Sequence, residues 1–265
     1  MTRTIILKLG GSIITKKRRG EPVVETRRIE GIADTLRNFL RKQPTTGLIL
    51  LHGGGSFGHP LAHRYHIAGK ALGRRNWRGV ARTTNAMRDL ATRLTDIFLR
   101  AGIPVIPLHT MSMAALTRGR VTLANPGLIK TILATNGIPL LGGDVAIADE
   151  MRSHIISADA LAGAFAKIIP DAVVLFATDV PGVFPTFPPA PRERPIPLLD
   201  RKALRSMTSG KEPRASQRDV TGGMMGKLRA IEHLRKHRIV IFDGRNIRAL
   251  ASALRSEQVG TVIRT

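Results

Sequence analysis

The stretch that most constrains the fold is residues 52–60, which read His-Gly-Gly-Gly-Ser-Phe-Gly-His-Pro. It follows four apolar residues at 48–51, which predict a buried strand. Glycine is needed where the backbone turns sharply or comes very close to a ligand. Glycines between a strand and a helix also expose backbone N–H groups that can bind a phosphate oxygen. Pro60 suits the first turn of a helix that follows the glycines. The exposed N–H groups predict an anion-binding loop, with His59 at its rim.

The length and composition favour one globular α/β unit. The chain has 265 residues, 43% of them hydrophobic, which is enough for a substantial core. It has no cysteine, which excludes disulfides, thiolate metal sites and a cysteine nucleophile. No apolar run approaches the ~20 residues of a membrane-spanning helix, and the first residues lack signal-peptide features. We therefore expect a cytoplasmic protein that does not bind membranes.

The net charge of +23 suggests nucleic-acid binding, but its distribution does not support it. The arginines are scattered, and the single Trp and single Tyr leave little material for base stacking. We expect most of these charges to be solvated and no nucleic acid to be bound. The same charge would also serve a basic funnel for phosphorylated ligands.

Hydrophobic periodicity predicts alternating strands and helices, which favours a parallel sheet covered by helices. Strands are predicted at 5–9, 48–51, 103–108, 138–141, 173–176 and 239–242, with an edge strand at 260–263. Helices are predicted at 27–42, 61–66, 80–100, 126–135, 160–168, 198–207, 228–237 and 246–255. Hairpins are predicted around 118–120 and between 145–147 and 154–156, and a basic loop at 16–20.

Two further glycine loops carry lysines, at Lys8 before Gly10 and at Lys227 after Gly223. Lys8 is either a phosphate ligand or an edge residue that extends to solvent, and Lys16 and Lys17 are either ligands or surface residues. Residues 80–87 either pack as core or line an apolar slot. Ser157 or Asp159 could cap the following helix. His59, His63 and His66 have a spacing compatible with metal, but with no carboxylate nearby in sequence we expect no protein metal site.

Six motifs together resemble the amino acid kinase superfamily, and within it most closely the isopentenyl phosphate kinases. They are Lys-Leu-Gly-Gly-Ser at 8–12, residues 52–60, Gly-Asp at 143–144, Ile-Ser-Ala-Asp at 156–159, Ala-Thr-Asp-Val-Pro-Gly-Val at 177–183 and Asp-Val-Thr-Gly-Gly-Met at 219–224. The resemblance covers nearly the whole chain. It implies a three-layer αβα sandwich with a mainly parallel central sheet, formed by one domain over 1–265. Residues 1–170 would bind the phosphate acceptor, and residues 171–265 would bind ATP.

The resemblance also implies the reaction, which is transfer of a phosphoryl group from ATP, with Mg²⁺, to isopentenyl phosphate. Lys8, His59, Asp159 and Lys227 would be catalytic, with Asp159 orienting the lysines and His59 hydrogen-bonded to the acceptor phosphate. The acceptor would be bound by Gly54, Gly55, Ser56, Gly58, His59, Val80, Thr84, Met87 and Ser157. ATP would be bound by Lys8, Gly10, Gly11, Ser12, Lys17, Thr178, Asp179, Gly182, Gly222, Gly223 and Lys227.

Two positions depart from the family pattern. Ala158 stands where a glycine is usual, so its methyl group is expected to crowd the backbone nearby. Pro181 stands where an aspartate is usual, which removes one N–H group and one carboxylate near the nucleotide.

The resemblance further implies a homodimer. Two alternatives stay open, a fosfomycin-type or other small phosphate or phosphonate kinase of the same fold, and a non-catalytic basic regulatory or nucleic-acid-binding protein.

Overall fold

The computed structural model describes residues 3–148, 150–186, 189–190, 192–209 and 223–264. Their helices are α1 Gly11–Ile14, α2 Thr26–Lys42, α3 Gly55–Arg64, α4 Arg74–Arg100, α5 Thr110–Met113, α6 Pro126–Ala134, α7 Ala158–Ile168, α8 Arg201–Thr208, α9 Gly223–Ile231 and α10 Ile247–Leu254. Their strands are β1 Arg3–Leu9, β2 Thr15–Arg18, β3 Glu21–Val24, β4 Thr46–His52, β5 Lys70–Ala71, β6 Val105–Pro107, β7 Ala114–Thr117, β8 Arg120–Leu123, β9 Ile138–Gly142, β10 Asp144–Ala148, β11 Arg152–Ile156, β12 Val173–Thr178, β13 Leu198–Leu199, β14 Arg238–Asp243 and β15 Thr261–Arg264.

Eight strands form the central sheet, in the order β13-β15-β14-β12-β1-β4-β9-β6. All neighbours run parallel except β14 and β15. The inner strands are apolar along their length because both faces of the sheet are covered. Ile5 and Leu7 of β1 pack in the layer of α2, α4 and α10, whereas Ile6 packs in the layer of α6, α7 and α9. The predicted three-layer sandwich with a mainly parallel sheet is confirmed.

A smaller sheet, β5-β11-β10-β7-β8, contacts α4 through β10 and α7 through β8. It contains both predicted hairpins, which are β7 with β8 and β10 with β11. The predicted basic loop at 16–20 is wrong, because β2 and β3 form a separate antiparallel ribbon. Arg19 and Gly20 have φ angles of 49° and 86°, a backbone conformation typical of tight hairpin turns.

Three other sequence predictions need correction. Strand β15 lies between β13 and β14, so it is not an edge strand. Pro60 lies in the interior of α3, since this helix begins at Gly55 directly after the glycine turn. The helix predicted at 228–237 lies earlier in the chain. Helix α9 is described from Gly223, since Met224 and Met225 already pack against the core, and it ends at Ile231. No helix in the described ranges is long and apolar enough to cross a membrane.

Candidate active site

Four strands bring the predicted motifs to one edge of the central sheet. Leu9 at the end of β1 is aligned with His52 of β4 and with Ala177 of β12, and His52 is aligned with Gly142 of β9. The loops that follow these strands therefore meet at the carboxyl edge of the sheet. This edge is where open α/β sheets usually bind ligands.

The first two glycine loops touch each other through their backbones. A Cβ atom on Gly11 would lie 2.6 Å from the Cα of Gly55, and one on Gly53 would lie 2.7 Å from the nitrogen of Gly11. Gly55 has a φ of +48°, and a Cβ there would lie 2.7 Å from the carbonyl oxygen of Gly11. Only glycine fits this contact, so the glycines serve close backbone approach as predicted.

Ser56 and Ser12 have different surroundings at this contact. Ser56 donates its backbone N–H to Thr15 Oγ1 and its hydroxyl to the carbonyl of Lys16, both at 2.9 Å. Ser56 therefore ties the start of α3 to the β2–β3 ribbon. Ser12 is exposed in α1, the short helix that follows β1.

A buried ion cluster of Lys8, Asp159 and Lys227 lies behind the glycine loops. Lys8 Nζ lies 2.9 Å from Asp159 Oδ1, and Lys227 Nζ donates to Asp159 Oδ2 at 2.8 Å. All three side chains are no more than 10% exposed. The Lys227 ammonium also lies 4.9 Å from the centre of the Phe176 ring, a cation–π contact. Residues 68 or more positions apart in the sequence thus form one charged group.

The local fold explains why Asp159 is held in place. Ser157 caps α7, because its hydroxyl accepts the backbone N–H of Ala160 at 3.1 Å. Asp159 then falls in the first turn of α7, where a helix dipole favours a negative charge. Of the two predicted capping residues, Ser157 is the one that caps the helix.

The electrostatics of the cluster favour a bound anion. Burial alone would raise the pKa of Asp159, but the charges of Lys227 and Lys8 outweigh burial and hold this pKa well below its usual range. Burial lowers the pKa of Lys227 to about 8, although the charge of Asp159 opposes the shift. Two cations that share one carboxylate leave a net positive charge in a buried place. A phosphate group that reached the cluster would therefore be attracted to it.

Two of the predicted nucleotide residues, Thr178 and Asp179, lie at the end of β12, next to the loop that follows β1. Gly10 donates its N–H to Ala177 O at 2.9 Å, which places this loop next to Thr178. The Thr178 hydroxyl donates to Val180 O at 2.8 Å, and Asp179 is exposed. Gly182 instead packs on β15, where an added Cβ would lie 2.6 Å from Thr261 Oγ1.

The remaining predicted ATP ligands are Lys17, Gly222 and Gly223. Lys17 is exposed on β2, and Lys16 pairs with Glu25 at 2.8 Å. Gly223 begins the described part of α9. Gly222 lies outside the described residues, as do residues 219–221 of the third glycine motif.

On the acceptor side, α3 and α4 form the walls. His59 is half-buried on α3, one turn after Gly55. The sulfur of Met87 on α4 lies against the glycine loop, 3.3 Å and 2.7 Å from where Cβ atoms on Gly54 and Gly58 would be. Val80 packs in an apolar cluster with Val145 and others, so the 80–87 face of α4 is both core and a wall of the loop.

Sequence reasoning assigned no role to two buried residues near this wall. Burial lowers the pKa of His52 to about 4, so its ring is neutral at pH 7. That ring fills the space beside Gly142, where an added Cβ would lie 2.6 Å from Nε2. Burial raises the pKa of Asp144 to about 6, while the Val145 N–H, the nearby Thr84 hydroxyl and the Arg88 charge oppose the shift. The sequence signals were their position after apolar strands and their place in the motifs at 52–60 and 143–144.

The two departures from the family pattern are accommodated. Ala158 is buried in the core cluster on the α7 side, so its methyl group has apolar neighbours. The close approach instead falls on Gly143, where an added Cβ would lie 3.0 Å from the nitrogen of Ala158. Pro181 is exposed.

The chain belongs to the amino acid kinase family, since residues 3–243 match the model of that family. It is 34% identical to the isopentenyl phosphate kinase of Methanothermobacter thermautotrophicus, over 86% of this chain and 85% of that protein. It is 30% identical to the isopentenyl phosphate kinase of Methanocaldococcus jannaschii, over 97% of each chain. A solved structure of an isopentenyl phosphate kinase superimposes with a TM-score of 0.82 at 28% identity, over 98% of this chain and 100% of that one.

Proposed function

We propose that this protein transfers the γ-phosphoryl group of ATP to the phosphate of isopentenyl phosphate, giving isopentenyl diphosphate and ADP. The observation that carries the proposal is the buried Lys8–Asp159–Lys227 cluster, which has a net positive charge beside two glycine loops in backbone contact. Two relatives that are 34% and 30% identical to this chain, over 86% and 97% of its length, are isopentenyl phosphate kinases. Their acceptor and donor are both anions, and such a pair needs a fixed cationic group between them.

The chemistry consists of positioning and charge stabilisation. An oxygen of the acceptor phosphate forms a bond to the γ-phosphorus, and the bond from that phosphorus to the β,γ-bridging oxygen breaks, so ADP leaves with the electron pair. No general base is needed, because the acceptor phosphate is already ionised. Lys8 and Lys227 stabilise the charge on the transferring group, and Asp159 offsets the repulsion between the two ammonium groups and holds them in place.

The two substrates would approach this cluster from opposite halves of the chain. The backbone N–H groups of Gly54 and Gly55, together with His59, would hold the acceptor phosphate, with Ser56, Gly58 and Ser157 supporting them. Residues 1–170 supply this half. The loop at 10–12 and Thr178, Asp179 and Gly182 would border ATP, which residues 171–265 bind in part. Lys17, Gly222 and Gly223 complete the proposed nucleotide contacts.

Mg²⁺ would enter on the phosphate oxygens of ATP rather than on a protein site. Within the described ranges no three His, Asp or Glu residues form a possible metal site, and both oxygens of Asp159 already face lysines. When bound, the ion would neutralise part of the phosphate charge.

An ATP-coupled assay against five acceptors tests the proposal: isopentenyl phosphate, dimethylallyl phosphate, fosfomycin, N-acetylglutamate and UMP. We expect isopentenyl phosphate to give the highest kcat/KM. Lys8→Met should abolish turnover, which would exclude a contaminating kinase as its source. The control Lys42→Met, at an exposed lysine on α2, should leave turnover unchanged. Higher turnover of fosfomycin than of isopentenyl phosphate would instead favour the alternative kinase.

A further inference from the structure

The aromatic ring of Phe176 lies against the buried ion cluster. Phe176 belongs to β12, is 0% exposed, and is aligned with Lys8 in the parallel pairing of β1 and β12. Aligned residues of neighbouring strands point to the same face of a sheet, so both side chains enter the layer of α7 and α9. The Lys227 ammonium lies 4.9 Å from the centre of the ring. Lys227 therefore has two partners, the Asp159 carboxylate and the ring face.

The Asp159 carboxylate is not available to Lys227 alone, because Lys8 lies 2.9 Å from its other oxygen. Among the described residues, the charges that act on Lys227 are those of Asp159, which attracts its ammonium, and of Lys8, which repels it. Helix α8 also packs on α9, but none of its described charged side chains acts on Lys227. Since burial also favours the neutral form of a lysine, a further contact that favours the charge raises the protonated fraction of Lys227.

An aromatic face supplies such a contact without adding a negative charge. The face of a benzene ring is the negative end of its quadrupole, and it attracts a cation within about 6 Å, most strongly where water is excluded. Lys227 is 5% exposed, so water is excluded from its contact with Phe176. A second carboxylate in this place would neutralise the cluster and repel a phosphate, whereas the ring leaves the net positive charge intact.

We propose that Phe176 is a positioning residue whose ring face holds Lys227 in its charged form for ATP, and that this contact sets the upper end of the pH range in which ATP is used. Phe176 acts through Lys227 and touches neither substrate. The inference rests on the proposed function, because it takes Lys227 to stabilise the phosphoryl group that leaves ATP.

A fluorination series at position 176 tests the ring face while nearly keeping the shape of the side chain. Phe176 is replaced site-specifically by phenylalanine with one, two and three ring fluorines, which withdraw electron density from the face. The fall of kcat/KM for ATP, which we expect near pH 8 in the wild type, should move stepwise to lower pH, by about one unit over the series.

The matched control is the same series at Phe165 of α7. This ring is 0% exposed in the same apolar layer, and no cation lies against it among the described residues. Fluorination at Phe165 should leave the pH of the fall unchanged.

Thermal unfolding gives a second measurement that needs no turnover. The trifluorinated Phe176 protein should melt below the wild type at pH 6, where Lys227 is charged in both. The difference should shrink by pH 9, because the ammonium has then lost its proton in both proteins. A difference of the same size at both pH values would show a packing effect only and would overturn the inference.

The outcomes separate this inference from the proposed function. A pH profile that does not move across the Phe176 series, or that moves equally in the Phe165 series, overturns the inference and leaves the proposed function standing. A wild-type protein that forms no isopentenyl diphosphate contradicts the proposed function. In that case the melting comparison still decides whether the ring of Phe176 holds the charge of Lys227.

Discussion

Replacing Asp159 with asparagine removes the negative charge that lies between the ammonium groups of Lys8 and Lys227. The amide has nearly the same shape, so the change isolates the charge. Asp159 is 5% exposed and lies 2.9 Å and 2.8 Å from the two ammonium nitrogens. Removing one partner of a buried ion pair typically costs about 3–5 kcal/mol. For a chain of this size, that predicts a fall in melting temperature of about 6–20 °C.

The loss should also depend on pH. Burial already lowers the pKa of Lys227 to about 8, and Asp159 opposes that shift, so Asp159→Asn lowers this pKa further. A lysine whose pKa is lower in the folded than in the unfolded state makes the protein more stable as pH rises through the folded pKa. In the variant this rise begins below pH 8, before it begins in the wild type. The difference in melting temperature should therefore shrink between pH 6 and pH 8.

Thermal unfolding of wild type, Asp159→Asn and an exposed control measures these effects. Asp89→Asn breaks a surface pair with Arg93 and should cost about 0.2–1 kcal/mol. Lys227→Met in the Asp159→Asn background removes one of the two facing cations and should recover part of the lost stability. A fall below 3 °C in Asp159→Asn, or a further fall in the double variant, would refute the electrostatic account of the cluster.

Three further changes test other parts of the site. Gly55→Ala adds a Cβ to a backbone at φ +48° and against another loop, so it should lower the free energy of unfolding by about 3 kcal/mol or more. The control Gly69→Ala, at φ +71° with open space around it, should lower it by only about 1 kcal/mol. Equal losses in the two variants would contradict the loop contact. His59→Ala should lower kcat/KM for isopentenyl phosphate about 10- to 150-fold while melting within about 4 °C of wild type, and near-wild-type kinetics would exclude His59 from the acceptor site. Lys227→Ala should raise the KM for ATP at least tenfold. In the wild type, kcat/KM for ATP should fall above about pH 8, where Lys227 loses its proton, and a flat profile to pH 10 would contradict its role.

Much of the site was predictable because it depends on chain order and on one rule of α/β sheets. Glycine loops that follow parallel strands meet at one edge, so Lys8 and residues 52–60 had to lie close together. The start of α7 was also predictable, since a serine before an apolar helical pattern is a common start signal, but the sequence left Ser157 and Asp159 as alternative caps, and the structure shows that Ser157 is the cap. This cap in turn positions Asp159 in the first turn of α7.

Other features depend on contacts that a sequence pattern does not reveal. Thr15 is the one buried residue of the β2–β3 ribbon, so the ribbon lacks the alternation that identifies a half-buried strand. His52 acquires its packing against Gly142 from the register of β4 and β9, which are about 90 residues apart. Thr84 lies in one helical stripe with Val80 and Met87, and only the packing of α4 on β10 places it near Asp144.

Phosphorus NMR of the wild-type protein with ATP and isopentenyl phosphate tests the central claim most directly. The account predicts that the acceptor's single phosphate signal is replaced by the two coupled signals of an organic diphosphate, in equal amount to the ADP formed. Conversion of ATP to ADP and inorganic phosphate, with the isopentenyl phosphate signal unchanged, would contradict the claim that the glycine loops and the lysine cluster phosphorylate this acceptor.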